Sequence, residues 1–155
     1  MKLKITHITQ FLGVGGLEKV LELLIEEQIR AGHEVKLIVY DYEQSWVDRF
    51  RKKGVIVETD YKKKDGYDLS LLKYLTSKIE GSDIVHTHDI NPALYIAPLR
   101  ILFRLSDKKF PRFIHTAHGM DHIHKRPITK FYEAFASHMT DLTVGVGIAV
   151  CDVYR

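Results

Sequence analysis

The sequence predicts an α/β fold, a doubly wound parallel sheet with helices on both faces, in a single domain over residues 1–155. Short apolar runs alternate with amphipathic stretches along the whole chain, the pattern of a parallel sheet with helical crossovers. The run Val35 to Tyr40 is nearly all apolar, as expected of a strand covered on both faces. The length of 155 residues suits one hydrophobic core. Right-handed crossovers then favour a doubly wound order, in which ligands bind outside the carboxyl ends of the strands.

Taken in order, Leu3 to Ile8 reads as the first strand, followed by a loop from Thr9 to Gly16. Leu17, Val20, Leu21, Leu24, Ile25 and Ile29 recur at helical spacing, with Glu18, Glu22, Glu26 and Glu27 off that stripe, so Leu17 to Arg30 reads as the first helix. Ala31-Gly32-His33 stops it. Strand two, Val35 to Tyr40, leads through Asp41 to Ser45 into a short helix, Trp46 to Lys53, and then strand three, Gly54 to Glu58. Tyr61 to Tyr67 is the most polar stretch and reads as a flexible connection. Asp68 is placed to cap a helix from Leu69 to Glu80 that buries Leu71, Leu72, Leu75 and Ile79. Strand four is Asp83 to His88, the next helix Asn91 to Leu105, and strand five Arg112 to Ala117. Pro127 suits the first turn of a helix reaching about Met139. Leu142 to Val146 is strand six, and Ile148 to Arg155 begins a further helix. That ending reads as a domain cut from a longer chain.

Composition narrows the function classes. A hydrophobic fraction of 45% and a charged fraction of 28% are ordinary for a soluble α/β protein, and a net charge of +3 is too small to imply a nucleic-acid partner. Basic clusters at Arg51 to Lys53, Lys62 to Lys64, Lys108-Lys109 and Lys125-Arg126 favour an anionic substrate or a membrane surface. The single Cys151 excludes an internal disulfide framework, fits a reducing compartment, and lacks a basic neighbour that would activate it. No signal peptide or membrane span is evident; Pro92 to Leu105, the most apolar stretch, carries Pro98, Arg100 and Arg104. Cytoplasmic and peripheral locations remain, the latter because Arg100, Arg104, Lys108 and Lys109 flank an apolar helix.

Gly13-Val14-Gly15-Gly16-Leu17-Glu18 carries the strongest chemical signal. Glycines opening a helix after a first strand let backbone approach a ligand, and the free N–H groups there favour phosphate. Glu18 reads equally as a first-turn carboxylate facing the helix dipole and as a functional group. A dinucleotide fingerprint is disfavoured because its third glycine is Glu18 and because the Thr9–Gly16 loop is longer than that fingerprint's tight turn. His88 and His118 fall at carboxyl ends of strands, on the same rim as the glycines. Nine histidines also raise a metal reading through His86-x-His88, His115-x-x-His118 and His122-x-His124, with Asp89 and Asp121 as nearby carboxylates. A hydrolytic site of three or four converging ligands is not completed by them. His86 and His115 read as buried, hydrogen-bonded histidines, and His122 to Arg126 as a basic loop.

Gly15-Gly16-x-Glu18, Ala31-Gly32-His33-Glu34-Val35, Asp83-Ile84-Val85-His86-Thr87-His88 and His115-Thr116-x-His118-Gly119 together resemble the retaining glycosyltransferases of the GT-B fold, family 4 (group 1). The stretch from Asp141 to Val153 is similar to the family's sixth strand and following helix, although Gly147 stands where many members carry serine. The resemblance covers essentially the whole chain, but only the N-terminal, acceptor-side half of such an enzyme; the C-terminal domain, with most nucleotide-sugar contacts and paired glutamates, is absent.

The resemblance implies a Rossmann-like domain of an enzyme that transfers a sugar, of hexosyltransferase type, from a nucleotide-sugar donor to a saccharide or lipid-linked acceptor with retained configuration. It implies no cofactor, the nucleotide-sugar being substrate. Gly15 and Gly16 would approach the donor diphosphate or sugar, His118 would act at the reacting centre, and His88 and Asp121 would line the acceptor side. The fragment alone would fold without transferring sugar. Two other readings stay open: a non-catalytic nucleotide- or ligand-binding Rossmann-like domain, and a His-rich metal-dependent hydrolase.

Overall fold

The computed structural model describes residues 1–43, 46–119, 127–147 and 150. Its strands are β1 (Lys4–Leu12), β2 (Glu34–Glu43), β3 (Ile56–Glu58), β4 (Ile84–His88), β5 (Arg112–Ala117) and β6 (Leu142–Gly145). Its helices are α1 (Gly16–Arg30), α2 (Trp46–Lys52), α3 (Leu69–Ile79), α4 (Ile90–Leu105) and α5 (Pro127–Met139). All strand pairs are parallel, in one six-stranded sheet of order β3-β2-β1-β4-β5-β6. This is the Rossmann-like doubly wound α/β architecture. The winding direction reverses between β1 and β4, which opens a crevice at their carboxyl ends.

Two cores cover the sheet. On one face Ile8, Ile38, Tyr40, Val85 and Phe113 pack against Leu71, Leu75 and Ile79 of α3, Ile96, Leu99 and Phe103 of α4, and Ala136 of α5. On the other, Val35, Leu37, Val39, Val55 and Val57 pack against Leu21 and Ile25 of α1 and Val47 and Phe50 of α2. Residues at alternate positions along a strand serve opposite faces, and the shared register His7↔Leu37 and His7↔His86 puts these side chains on the α1 face.

Local chemistry sets the ends of the elements. α1 closes with a left-handed Gly32 (φ 86°), whose N–H donates to Ile29 O while His33 N–H donates to Gln28 O, a Schellman pairing that satisfies two terminal carbonyls. Glu22, almost wholly buried, is matched by three cations: Arg49, Lys53 at 2.7 Å and Lys19 at 3.1 Å. Burial raises its pKa, but the hydrogen bonds from those cations outweigh that and hold it at about 2. This cluster pins α1 to α2. In α4, Pro98 has no N–H to offer Leu94 O, and the Tyr67 hydroxyl reaches that carbonyl at 3.5 Å instead.

Two strands run past the sequence reading at their carboxyl ends, while the other differing boundaries shift by one or two residues. β1 continues through Leu12 and β2 through Glu43, because Phe11 and Leu12 pair with Tyr42 and Glu43 beyond a register shift after Thr9. The connection into α1 is therefore only Gly13-Val14-Gly15, and the length argument against a dinucleotide fingerprint falls; the glutamate in place of the third glycine still stands. The polar 61–67 segment is also tied down. Lys63 N–H donates to Tyr40 O at 2.8 Å, and Tyr61 Oη and Lys64 N–H donate to Asp68 at 2.8 and 3.0 Å.

Asp68 caps α3 through Ser70 and Leu71 N–H (2.9 and 3.2 Å) and is buried. Burial pushes its carboxyl up, yet hydrogen bonds from Lys64, Tyr61, Leu71 and Ser70 bring it down to about 2. Asp68→Ala should destabilise the domain by about 1–2 kcal/mol at neutral pH, measured by denaturant titration. The unfolded carboxyl titrates near 3.9 or so. The stabilisation is therefore complete above that value and lost as pH falls toward 2, so the gap between wild type and variant should narrow in acid.

Candidate functional site

The rim at the β1–β4 reversal is built from three carboxyl ends. The first supplies the glycine turn. Gly15 is the residue before α1, and no side chain caps the helix. The first-turn N–H groups, with their partial positive charge, are thus left to solvent or a ligand. Glu18 does not cap the helix; its buried carboxylate accepts from Gly13 N–H at 2.8 Å and holds the turn. A side chain at Gly15 would press on Glu18 Oε2 at 3.1 Å, whereas one at Gly16 would meet nothing within 4 Å. Protein packing does not require glycine at position 16. Close approach of something outside the chain would.

The second end is β4 with Asp89, which follows His88 at φ 67°, ψ 169°, a conformation L-residues rarely take. Its backbone N–H donates to Thr116 O at 2.9 Å, and its Oδ1 accepts His118 N–H at 3.1 Å. Asp89 therefore joins β4 to the third end, where His118 and Gly119 follow β5.

Behind the rim lies a row of imidazoles on the α1 face. His7 Nε2 meets Gln28 Oε1 at 2.7 Å, His7 Nδ1 meets His88 Nε2 at 3.0 Å, and His88 Nδ1 meets His118 Nε2 at 3.0 Å. His86 stacks on His88 with centroids 4.4 Å apart and bonds Thr116 Oγ1 at 2.7 Å. On the opposite face His115 Nδ1 pairs with Thr87 Oγ1 at 3.1 Å. His7, His86, His88 and His115 are buried and His118 is half-buried.

Burial is the first cause of every imidazole shift here. It lowers His7 to about 4 against the opposing Gln28 hydrogen bond. It lowers His86 to about 2, His115 to about 4 and His88 well below its ordinary value, with neighbouring histidines adding to each. His118 is also lowered by burial, against the carboxylates of Asp89 and Glu18. The row is neutral at physiological pH.

Among the described residues, His7, His86 and His88 form a group whose ligand atoms lie within 4.8 Å of one another. His86 and His88 are stacked at 29°, as are His7 and His88, and ring nitrogens already pair with Thr116, Gln28 and each other. An imidazole binds a metal in its own ring plane, so stacked rings do not aim lone pairs at one point. The geometry is that of a hydrogen-bonded row.

Two adjoining cavities open at the rim. One, of ≈ 450 Å³, is lined by Gly16, Leu17, Val20, Asp89, His118 and Gly119, with Val146. The other, of ≈ 250 Å³, is lined by Gln10, Phe11, Leu17, Glu18, His88 and Asp89, among others. Gly16 and His118 thus share a cavity wall, while His88 is 1% exposed at the floor of the second. Asp121 and the 122–126 loop lie outside the described residues, as does Cys151. His7 and Gln28 were not picked out as site residues from the sequence, and Asp89 was named there only as a carboxylate near a possible metal. The available signal was a row of polar side chains in strands meant to be covered on both faces.

The family model described as Glycosyltransferase Family 4 matches residues 14–155. No curated protein sequence matches the chain. Among solved structures, sucrose-phosphate synthase from Thermosynechococcus elongatus is similar at a TM-score of 0.60 and 12% identity, over 92% of this chain and 42% of that one. Anabaena HepE in complex with UDP-glucose is similar at a TM-score of 0.64 and 12% identity, over 98% of this chain and 40% of that one. HepE in complex with UDP and glucose aligns at a TM-score of 0.61 and 14% identity, over the same shares. The chain spans about two-fifths of the length of these structures. No described helix is long and apolar enough to cross a membrane.

The buried imidazoles set a pH dependence. An unfolded histidine titrates near 6.5 or so. Folded His7 and His86 stay neutral down to about 4 and about 2. Their contribution is therefore complete above the unfolded value and lost as pH falls through the window below it, at up to about 1.4 kcal/mol per pH unit per group. Denaturant midpoints should drop between pH 7.5 and 5, and His86→Gln should make that slope shallower.

Proposed function

The chain belongs to glycosyltransferase family 4, and from that premise we propose that it forms the acceptor-side half of a two-domain enzyme transferring a hexose from a nucleotide-sugar to an acceptor hydroxyl with retained configuration. The observation that carries this reading is the shared cavity wall of Gly16 and His118 at the sheet's reversal point, where an uncapped helix start faces a neutral imidazole. Negative charge grows on the departing diphosphate as the glycosidic bond breaks. Backbone N–H groups of Gly15 and Gly16 are suited to stabilise it, since they are fixed beforehand by the turn and by Glu18. His118, held through its backbone by Asp89 and through its ring by His88, is suited to bond a sugar hydroxyl beside the reacting carbon. His88, lying one ring deeper, and Asp121 belong to the acceptor side of this reading.

The nucleotide would be gripped mainly by a second domain, and the similarity to HepE, whose structure holds UDP-glucose, supports a nucleotide-sugar donor. We place the acceptor among saccharides or lipid-linked saccharides. Exposed Ile101, Leu102 and Leu105 on α4, beside Arg104 and Lys108, support peripheral contact with an anionic membrane. The single cysteine supports a cytoplasmic setting.

In the full-length enzyme His118→Ala should lower kcat roughly 100-fold, the scale of a lost oriented transition-state contact, while costing only about 1 kcal/mol of stability. Gly16→Ala should leave stability unchanged or raise it by up to about 1 kcal/mol, because the methyl meets no protein atom and stiffens the unfolded chain. It should nonetheless lower kcat/KM about tenfold by obstructing the ligand. Steady-state kinetics beside thermal melts check both; full activity in either folded variant contradicts the assignment. Residues 1–155 alone should show no transfer.

A further inference from the structure

We propose that Gln28 and His7 are positioning residues that select the tautomer of His118, so that His118 offers the cavity an unprotonated Nδ1, an acceptor for a ligand hydroxyl and not a donor to an anion. The functional meaning rests on the transfer reading above; the tautomer assignment does not.

Gln28 Oε1 has only lone pairs, so the proton in its 2.7 Å contact belongs to His7 Nε2. A neutral imidazole has one N–H. His7 Nδ1 is therefore an acceptor, and the proton in the next 3.0 Å contact belongs to His88 Nε2. By the same count His88 Nδ1 accepts from His118 Nε2–H at 3.0 Å. The remaining nitrogen, His118 Nδ1, carries no proton and has no partner among the described residues. His7, His88 and His118 take the same tautomer because one amide oxygen, three contacts from His118, starts the series.

Only two changes reverse this order. One is an added proton, which burial of His7 and His88 opposes. The other is a turned Gln28 amide, presenting its NH₂ to His7. The row ends on the Gln28 amide, which does not accept a proton as a carboxylate would, so it sets orientation and does not conduct protons. Glu18 and Asp89 are the carboxylates that act on His118; with them alongside, a neutral acceptor suits a sugar hydroxyl and repels a phosphate oxygen. α1 then governs both walls of the cavity: its first turn carries the glycine N–H groups, and Gln28 in its last turn, braced by the Schellman pairing, sets the proton on His118.

Long-range ¹H–¹⁵N spectra of the imidazole rings in the ¹⁵N-labelled chain at neutral pH test this. His7, His88 and His118 are expected to show protonated Nε2 and bare Nδ1. Gln28→Met, neither amide donor nor amide acceptor, should leave His118 with averaged tautomer signals, and Gln28→Lys should move its proton to Nδ1, while the backbone spectrum stays that of the folded domain. A wild-type His118 protonated at Nδ1 overturns the proposal, as do His118 ring signals unmoved by both variants. In the full-length enzyme Gln28→Met should lower kcat at least about tenfold with donor KM little changed, the direction expected when a mistaken tautomer is presented; unchanged kcat with altered tautomers overturns the positioning role. A wild-type enzyme that transfers no sugar, with the tautomers as stated, would instead sink the transfer reading alone.

Discussion

A parallel sheet covered on both faces leaves its central strands no water, so each polar side chain there must find its partner inside the protein. The imidazole row of this domain follows from that constraint acting on β1, β4 and β5. These three strands carry His7, His86, His88, His115 and the buried threonines Thr6, Thr9, Thr87 and Thr116 where Val, Ile or Leu would pack more simply. His7, His86 and His88 are tolerated because they are neutral, stacked and bonded within the row, to Thr116 and to Gln28, and His115 bonds Thr87. A single added proton would place a charge among rings that burial keeps neutral.

The same constraint links core to rim. The hydrogen-bonded row runs from the middle of β1, through the end of β4, to His118 just beyond β5. It therefore transmits the rigidity of the core to a side chain that faces a cavity. Asp89 adds a second hold on the same residue through its strained backbone and its bond to His118 N–H. The glycine turn is held differently, by the Glu18 carboxylate from within its own helix. Strain at Asp89 and a free helix start at Gly16 are both costs that packing does not ask for, and both sit on one cavity.

The fold was legible because its signal is periodic. Helical spacing in α1 and α3, and the apolar run in β2, each determine a local structure, and alternation of the two kinds dictates parallel crossovers. The ends of β1 and β2 were not legible, since Gln10 and Asp41 read as loop residues; in the sheet Gln10 Nε2 donates to Asp41 Oδ2 at 2.8 Å, and pairing resumes past the irregularity at Thr9. The rim glycines and His118 could be found because they end strands. His7 could not, because its partner His88 is 81 residues away and only the sheet register brings them together. A polar residue in a strand otherwise built for two-sided burial was the one hint.

The proposed transfer places the donor's sugar and diphosphate at the rim holding Gly15, Gly16, Asp89 and His118. Backbone amide shifts of the labelled chain, followed while a nucleotide-sugar is added to millimolar excess, test it most directly. Weak binding is expected, with the largest shifts at Gly15, Gly16, His118 and Gly119. Shifts concentrated instead at the opposite end of the sheet, around the cavity lined by Lys4, Lys36 and Ser82, would contradict it.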